Sequence, residues 1–238
     1  YIATGRLEPH VVTDIVEGLA AGCRESECVL IGGETAEMPD FYQPGEYDLA
    51  GFIVGMADES YLFHPPPVSE GDILIGLRSS GLHTNGYSLV RKLFFEQEKM
   101  TVETYVEELG RTVGDELLEP HRNYLPLLKD LILSGRLSAL AHITGGGITD
   151  NLDRVLTPRL NAVVEKGSWE SLPIFDFIAA RGRVAETEML RTFNMGIGMI
   201  LAVAPDNVDE VRGRLEAKGE TVFILGELKS GEGKVVYR

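Results

Sequence analysis

The sequence of 238 residues predicts an α+β (mixed α/β) fold in two domains. Stretches with helical periodicity alternate with short apolar stretches rich in β-branched residues, but without the regularity of repeated strand–helix–strand units. The proline run at 65–67 fits neither a helix nor a strand and is typical of a stiff linker. A domain boundary is therefore predicted there, which gives the domains 1–63 and 64–238.

In the first domain the patterns predict one helix and two strands. Apolar residues recur at helical spacing over residues 8–27, with a polar face opposite. The short apolar run at 28–31 predicts a buried strand. Residues 47–57 are rich in β-branched and aromatic side chains and predict a second buried strand.

In the second domain the same criteria predict helices and strands in alternation. The predicted strands are 72–77, 139–143, 161–164, 198–203 and 221–228. The predicted helices are 87–98, 102–109, 122–133, 148–155, 174–180 and 207–217.

Composition excludes several classes of partner. The chain has 37 acidic and 22 basic residues, and its net charge of −15 repels nucleic acid and anionic membrane surfaces. No apolar stretch reaches the length of a membrane span and no charged-then-apolar leader opens the sequence, so we expect a cytoplasmic protein. Cys23 and Cys28 have no metal-ligand spacing and are predicted to be buried free thiols in a reducing compartment.

The segment GGETAEMP, residues 32–39, follows the first predicted strand. Two glycines allow the backbone to approach a ligand closely, and the acids and the threonine supply hard oxygen ligands. In so acidic a chain, bound phosphate groups need local neutralisation by divalent cations. The segment fits a phosphate and metal site, and a tight turn with solvated acids is an equally good interpretation of these residues alone.

The segment SSGLHTNG, residues 79–86, joins a predicted strand to a predicted helix and collects hydroxyl, imidazole and amide groups. Loops of this kind present functional groups from a rigid scaffold. His83 is its strongest candidate for chemistry, although an exposed loop histidine taken alone is more often without a function.

The segment HITGGG, residues 142–147, repeats this arrangement with His142, Thr144 and three glycines before a predicted helix. Adjacent glycines are costly in backbone entropy unless close approach is required, and amides at a helix start bind anions. The segment is not a Walker A loop, because no Gly-Lys-Ser/Thr follows. The other interpretation is a helix-entry turn beside a core histidine.

The segment RTFNMGIGM, residues 191–199, precedes a predicted strand. Arg191 can contact a phosphate with two hydrogen bonds, and Asn194 can bind a substrate amide. Its Gly-x-Gly lacks the third glycine of a dinucleotide-binding fingerprint.

Taken in this order, the four segments resemble the phosphoribosylformylglycinamidine cyclo-ligase (aminoimidazole ribonucleotide synthetase) family, and the resemblance extends over the whole chain. It implies an AIR-synthetase-like architecture with an incomplete first domain and a complete second domain, since the family continues upstream of Tyr1. It also implies a homodimer through the first domain. The implied reaction is ATP-dependent closure of the imidazole ring of formylglycinamidine ribonucleotide in purine biosynthesis, with Mg2+.

The resemblance assigns provisional roles. His83 and His142 are the expected catalytic residues, and Glu34 is the expected metal ligand. The nucleotide is expected at Gly32, Gly33, Glu34, Thr35 and Glu37. The substrate is expected at Ser80, Asn85, Thr144, Gly145, Gly146, Gly147, Arg191 and Asn194. Two other functions stay open: a small-molecule kinase or phosphotransferase of the same superfamily, and an inactive fragment that lacks part of the ATP site.

Overall fold

The computed structural model describes residues 1–56 and 67–238, which form two compact units, Tyr1–Leu62 and Phe63–Arg238. The predicted boundary at 63 and 64, with Pro65 and Pro66, lies outside the described residues. The mixed α/β class is confirmed in the described ranges. No helix within those ranges is both long and apolar enough to span a membrane.

The first unit contains one long helix, α1, and a small three-stranded sheet. The helix, Pro9–Glu25, confirms the prediction and has Pro9 in its first turn, where a missing backbone N–H costs nothing. The strands are β1 (Ile2–Thr4), β2 (Thr35–Glu37) and β3 (Tyr47–Leu49), in the order β2-β1-β3. Strand β1 pairs in parallel with β2 and antiparallel with β3.

The two buried strands predicted in this unit are wrong as predicted. Residues 28–31 form no strand, and Val29 and Ile31 are 80% and 94% exposed. The second strand stops at Leu49, and Phe52 beyond it is 94% exposed. Its partner β1 has only three residues, and Leu49 lies opposite the first of them, Ile2. The backbone pairing continues for one more residue, because Ala50 and Tyr1 exchange two hydrogen bonds of 3.0 and 2.9 Å.

The second unit is built on a six-stranded sheet with the order β11-β8-β10-β4-β9-β7. All neighbours are antiparallel except β11 and β8. Its strands are β4 (Ile73–Arg78), β7 (Ala139–His142), β8 (Leu160–Val164), β9 (Ile197–Val203), β10 (Val222–Ser230) and β11 (Val235–Tyr237). A separate hairpin pairs β5 (Tyr105–Val106) with β6 (Arg111–Thr112).

Helices surround this sheet. They are α2 (Tyr87–Arg91, continued by a π-helical turn Lys92–Gln97), α3 (Val113–Leu117), α4 (Leu125–Leu133), α5 (Gly147–Asp153), α6 (Pro173–Gly182), α7 (Glu186–Thr192) and α8 (Val208–Ala217). The predicted helix over 102–109 is wrong. Thr104 Oγ1 accepts a hydrogen bond from the backbone N–H of Thr101, and this local turn competes with helical pairing.

Alternation of side chains along the strands gives the sheet two apolar faces. Leu74 packs on one face with Ile148 and Leu152 of α5. Its neighbour Ile75 packs on the other face with residues of α4 and α8, among them Leu128. A third cluster joins α2, α6 and α7 around phenylalanines. Helices therefore pack on both faces of the sheet.

Candidate functional site

Three of the predicted loops meet at one edge of the large sheet because of its topology. Strand β9 runs antiparallel to both β4 and β7, so the ends of β4 and β7 lie beside the start of β9. Arg78 at the end of β4 pairs with Ile197, and His142 at the end of β7 pairs with Met199. The loops 79–86, 142–147 and 193–196 consequently converge.

His83 is buried, with 3% of its surface exposed, where the sequence indicated an exposed loop residue. Its backbone φ is +59°, in the left-handed region that histidine tolerates better than most residues. Nε2 accepts a hydrogen bond of 3.1 Å from the backbone N–H of Ser80. Because Nε2 is an acceptor, the neutral ring carries its proton on Nδ1, which has no hydrogen-bond partner among the described residues.

His83 belongs to a cluster of three histidines. The ring of His121 stacks on it, with centroids 3.9 Å apart and planes inclined by 21°. The Nε2 atom of His121 lies 2.9 Å from Nε2 of His142, at hydrogen-bond distance. The cluster runs from buried His83 through partly buried His121 to exposed His142. The two predicted catalytic histidines are thus brought together by a third histidine that was not predicted.

All three rings favour the neutral form. Burial, followed by the charges of His121, His142 and Arg122, lowers the pKa of His83 to about 3. Burial also lowers the pKa of His121, with a further contribution from the charge of His142, and burial alone lowers the pKa of His142. At neutral pH the three rings are therefore uncharged, and the exposed member of the cluster is His142.

The segment that carries His121 is anchored on both sides. Ser80 Oγ donates a hydrogen bond of 2.6 Å to the carbonyl of Pro120. Tyr124 OH and Arg122 Nη1 both donate to the carbonyl of Arg78, at 2.8 and 3.0 Å. The predicted substrate contact Ser80 is thus engaged in positioning His121.

The glycine loop is organised by Asn151, which is 3% exposed. Its Nδ2 donates to the carbonyls of Thr144, Gly145 and Gly147, at 3.3, 3.1 and 2.8 Å. Thr144 Oγ1 donates in turn to Asn151 Oδ1 at 3.1 Å. Because these carbonyls point to Asn151, they are turned away from any anion on the opposite side of the loop. A methyl group on Gly145 would lie 3.2 Å from Oδ1 of Asn85, so this glycine and Asn85 are neighbours.

Asn194 has no free capacity for a substrate, which corrects its predicted role. Its Oδ1 accepts hydrogen bonds from Ser79 Oγ (2.9 Å) and from the N–H of Gly196 (2.8 Å). Its Nδ2 donates to the carbonyls of Gly81 (2.9 Å) and Leu82 (3.2 Å). Both hydrogens and both lone pairs are used inside the protein, so Asn194 positions the His83 loop. Arg191, also predicted to bind substrate, is exposed on α7.

The predicted nucleotide segment lies in the first unit. Gly32, Gly33 and Thr35 are exposed, and the Glu34 carbonyl accepts a 2.9 Å hydrogen bond from Ile2 while its side chain is exposed. Glu37 is already engaged, because its Oε1 accepts a hydrogen bond of 2.6 Å from the N–H of Leu7. Within the described residues no three histidine, cysteine or acidic side chains form a metal cluster. Mg2+ commonly takes only one or two protein carboxylates besides phosphate oxygens, so Glu34 fits such a role.

Sequence reasoning missed His121, Tyr124 and Asn151. His121 follows the helix-breaking Pro120 and lies outside every predicted element, whereas Tyr124 falls within the predicted helix 122–133, although α4 begins only at Leu125. A histidine beside a proline in an irregular segment was the available signal. Asn151 lies inside α5, where a buried polar residue is unusual. An asparagine within the apolar pattern of the predicted helix 148–155 was the available signal.

The chain resembles known proteins over almost its whole length. The family profile "AIR synthase related protein, C-terminal domain" matches residues 69–238, and the corresponding N-terminal profile matches residues 1–57. A phosphoribosylformylglycinamidine cyclo-ligase from Alkaliphilus metalliredigens is 47% identical over 236 residues, which are 99% of this chain and 68% of the relative. The enzyme of the same name from Brevibacillus brevis is 46% identical over 100% of this chain and 68% of the relative. The chain belongs to the phosphoribosylformylglycinamidine cyclo-ligase family.

The solved structures agree with the fold of this cyclo-ligase family. Thiamine-monophosphate kinase from Stenotrophomonas maltophilia matches 99% of this chain and 70% of its own, with 15% identity and a TM-score of 0.63. T. maritima PurL complexed with AMPPCP matches 100% of this chain and 34% of its own, with 12% identity and a TM-score of 0.54. At such identities these likenesses concern the fold, whereas the cyclo-ligase relatives identify the chain as a member of an enzyme family.

Proposed function

We propose that the chain catalyses the ATP-dependent ring closure of formylglycinamidine ribonucleotide to aminoimidazole ribonucleotide, a step of purine biosynthesis. The observation that carries the proposal is the convergence of the loops 79–86 and 142–147, with their histidines, at one edge of the sheet. In the reaction, ATP phosphorylates the formyl oxygen and releases ADP. The amidine nitrogen then attacks the activated carbon, phosphate leaves with that oxygen, and a proton is lost.

His142 is proposed to contact the reacting groups, because it is the exposed member of the cluster. It takes up the proton lost on ring closure, which a neutral imidazole can do at physiological pH. His83 stays neutral and supports the cluster from its buried position. Thr144, the amides of Gly145 and Gly146, Asn85 and the exposed Arg191 are proposed to orient the polar groups of the substrate. The amide of Gly147 instead donates to the carbonyl of Thr144 and shapes the loop.

ATP is proposed to bind at the segment 32–37 of the first unit. A protein of similar fold, T. maritima PurL, has been solved in complex with the ATP analogue AMPPCP, which supports a nucleotide as a ligand. Gly32 and Gly33 permit close approach of phosphate groups, and Glu34 with Thr35 would hold Mg2+. When bound, Mg2+ would neutralise charge on the phosphate oxygens. Glu37 would support the segment through its bond to Leu7.

We also propose a homodimer through the first unit, and a cytoplasmic location. Support comes from consecutive apolar side chains in this unit that are almost fully exposed. Phe52, Ile53 and Val54 are 94%, 85% and 91% exposed, and Met56 is fully exposed. Apolar runs of this kind mark surfaces that are covered by other protein. Sedimentation velocity tests the dimer: a Phe52→Glu variant should shift the chain towards the monomer.

The reaction is tested by incubating the chain with formylglycinamidine ribonucleotide, ATP and Mg2+ and by measuring product masses. Aminoimidazole ribonucleotide and ADP are the expected products. A stable phosphorylated acceptor would instead indicate a kinase of the same fold.

His142→Ala should lower kcat by about a hundredfold or more while the far-UV circular dichroism spectrum stays unchanged. Calorimetry with ATP and Mg2+ gives an independent answer, since absence of saturable binding would contradict an active chain.

A further inference from the structure

The structure places His121 between the two predicted catalytic histidines, with a different contact to each. Towards His83 the contact is face-to-face stacking at 3.9 Å, which can hold a ring in place but cannot carry a proton. Towards His142 the contact joins two nitrogen atoms 2.9 Å apart, with the rings inclined by 65°. Only this second contact can share a proton.

We propose that His121 is a positioning residue that shares one proton with His142 and thereby fixes which nitrogen of His142 serves the substrate. This inference rests on the proposed function of the site. Since Nε2 of His142 faces His121, the nitrogen available to a substrate is Nδ1. Two imidazole nitrogens at this distance need one hydrogen between them, so one ring donates and the other accepts.

The proton balance follows from this arrangement. When His142 donates its Nε2 hydrogen to His121, its Nδ1 carries a lone pair and can act as a base. Ring closure then transfers a proton from the substrate nitrogen to Nδ1, which makes His142 an imidazolium. Its Nε2–H now forms a charge-assisted bond to the lone pair of His121, and such bonds are stronger than neutral ones. The proton later leaves from Nδ1 to water, and the pair returns to its starting state.

The surroundings allow the His121–His142 pair to hold one positive charge and oppose a second protonation. Two protonated rings would bring two N–H groups face to face at 2.9 Å. The other charged and titratable groups nearby are His83, which is stacked on His121, the guanidinium of Arg122, and the hydroxyl of Tyr124, whose ring lies 6.1 Å from that of His142. Burial raises the pKa of Tyr124, so this group stays neutral. The Arg122 charge is paired with Glu220.

His121 itself is oriented from outside the pair. Pro120 before it is bound by Ser80 Oγ, and both Arg122 and Tyr124 after it are bound to the carbonyl of Arg78. The stacked ring of His83 then closes one face of His121. These contacts come from the loop 79–86 and the end of β4, so His121 is held by the elements that carry the rest of the site.

Two variants separate the proton-sharing role from simple packing. His121→Phe keeps a flat ring against His83 but has no nitrogen, whereas His121→Gln keeps a hydrogen-bonding group towards His142. The first measurement is an NMR titration of the imidazole nitrogens in the 238-residue chain, without substrate. We expect His121 and His142 to report the same two titration steps in the unaltered chain. In His121→Phe we expect a single step for His142, at a pKa about one unit lower than in His121→Gln.

Independent single-step titration of His121 and His142 in the unaltered chain would overturn the proposal. The second measurement is the pH profile of kcat. His121→Phe should lower kcat about tenfold or more and move the acid limb of the profile, while His121→Gln restores most of kcat. Equal loss in both variants with no movement of the limb would indicate packing alone. Because the NMR titration needs no turnover, a chain that fails to form aminoimidazole ribonucleotide would contradict the proposed function and leave the proton-sharing result standing.

Discussion

Ser79 Oγ donates a 2.9 Å hydrogen bond to Oδ1 of Asn194, a residue 115 positions further along the chain. This bond joins the loop after β4 to the residues before β9, and Asn194 uses its remaining groups on the backbone of the same two segments. The His83 loop is thus fixed by one buried side chain from a distant part of the sequence.

Asn194→Ala is expected to be strongly destabilising. It removes four hydrogen bonds. The polar groups that lose their partner are buried, and they are the hydroxyl of Ser79, the carbonyls of Gly81 and Leu82, and the N–H of Gly196. Each unsatisfied buried group costs about 1–3 kcal/mol, so we expect a loss of about 3 kcal/mol or more in the free energy of unfolding. Urea denaturation measures it. The control is Asn207→Ala, at an exposed hydrogen bond to Arg136, with an expected change of at most about 0.5 kcal/mol. Similar losses in the two variants would contradict the role of Asn194.

Gly147→Ala should disrupt the glycine loop, whereas Gly145→Ala should leave it folded. Gly147 has a φ of +61°, and a methyl group there would lie 2.0 Å from the carbonyl oxygen of Leu190. Left-handed strain and overpacking together predict a loss of about 3 kcal/mol. At Gly145 the nearest atom to an added methyl is a side-chain oxygen of Asn85 at 3.2 Å, which can move. Thermal unfolding of both variants checks the contrast. A midpoint temperature for Gly145→Ala as low as that of Gly147→Ala, or lower, would refute it.

Five of the six strands of the large sheet could be predicted from the sequence because they carry their own patterns, and four of these five have neighbours on both sides. Residues 198–203, for example, are all but the first residue of β9, which lies between β4 and β7. The short edge strand β11 was not predicted. Residues 28–31 have the same composition and form no strand, because a strand depends on partners that its own sequence does not specify. Apolar composition predicts a strand only where the fold supplies a neighbour.

The loops of the site were recognisable because each places glycines, a histidine or amide side chains within a few residues of one another, next to a predicted strand. The contacts between the loops were not recognisable. His121 lies 21 residues from His142 and meets it only because β7 ends beside the segment before α4. Asn194 was chosen for its amide, and the pattern could not show that this amide would be fully used by the backbone.

Arg122→Ala is expected to destabilise the second unit more than removal of an exposed ion pair. Arg122 donates from Nη1 and Nη2 to the two carboxylate oxygens of Glu220, and the Glu220 side chain is only 1% exposed. Loss of Arg122 leaves a buried carboxylate without its partner, which costs about 3–5 kcal/mol. The double variant Arg122→Ala, Glu220→Ala should recover part of this loss, because the uncompensated charge is gone. The matched control is Arg212→Ala, at the exposed pair with Glu216, where no measurable change is expected.

The stability of the second unit should fall as the pH is lowered from about 6.5 towards 3. An unfolded histidine binds a proton below pH about 6.5, whereas the pKa of folded His83 is lowered to about 3 by burial and neighbouring positive charge. Within this window the unfolded state holds the extra proton, so the free energy of unfolding rises with pH, by about 1.4 kcal/mol per pH unit for one group.

His83→Asn removes the titrating ring and keeps a residue that tolerates a positive φ. Urea denaturation at pH 5.0, 5.5, 6.0 and 6.5, roughly the upper half of the window, should show a shallower pH dependence for the variant than for the unaltered chain. Parallel curves would mean that His83 is protonated in the folded state, contrary to the hydrogen bond that its Nε2 accepts from Ser80.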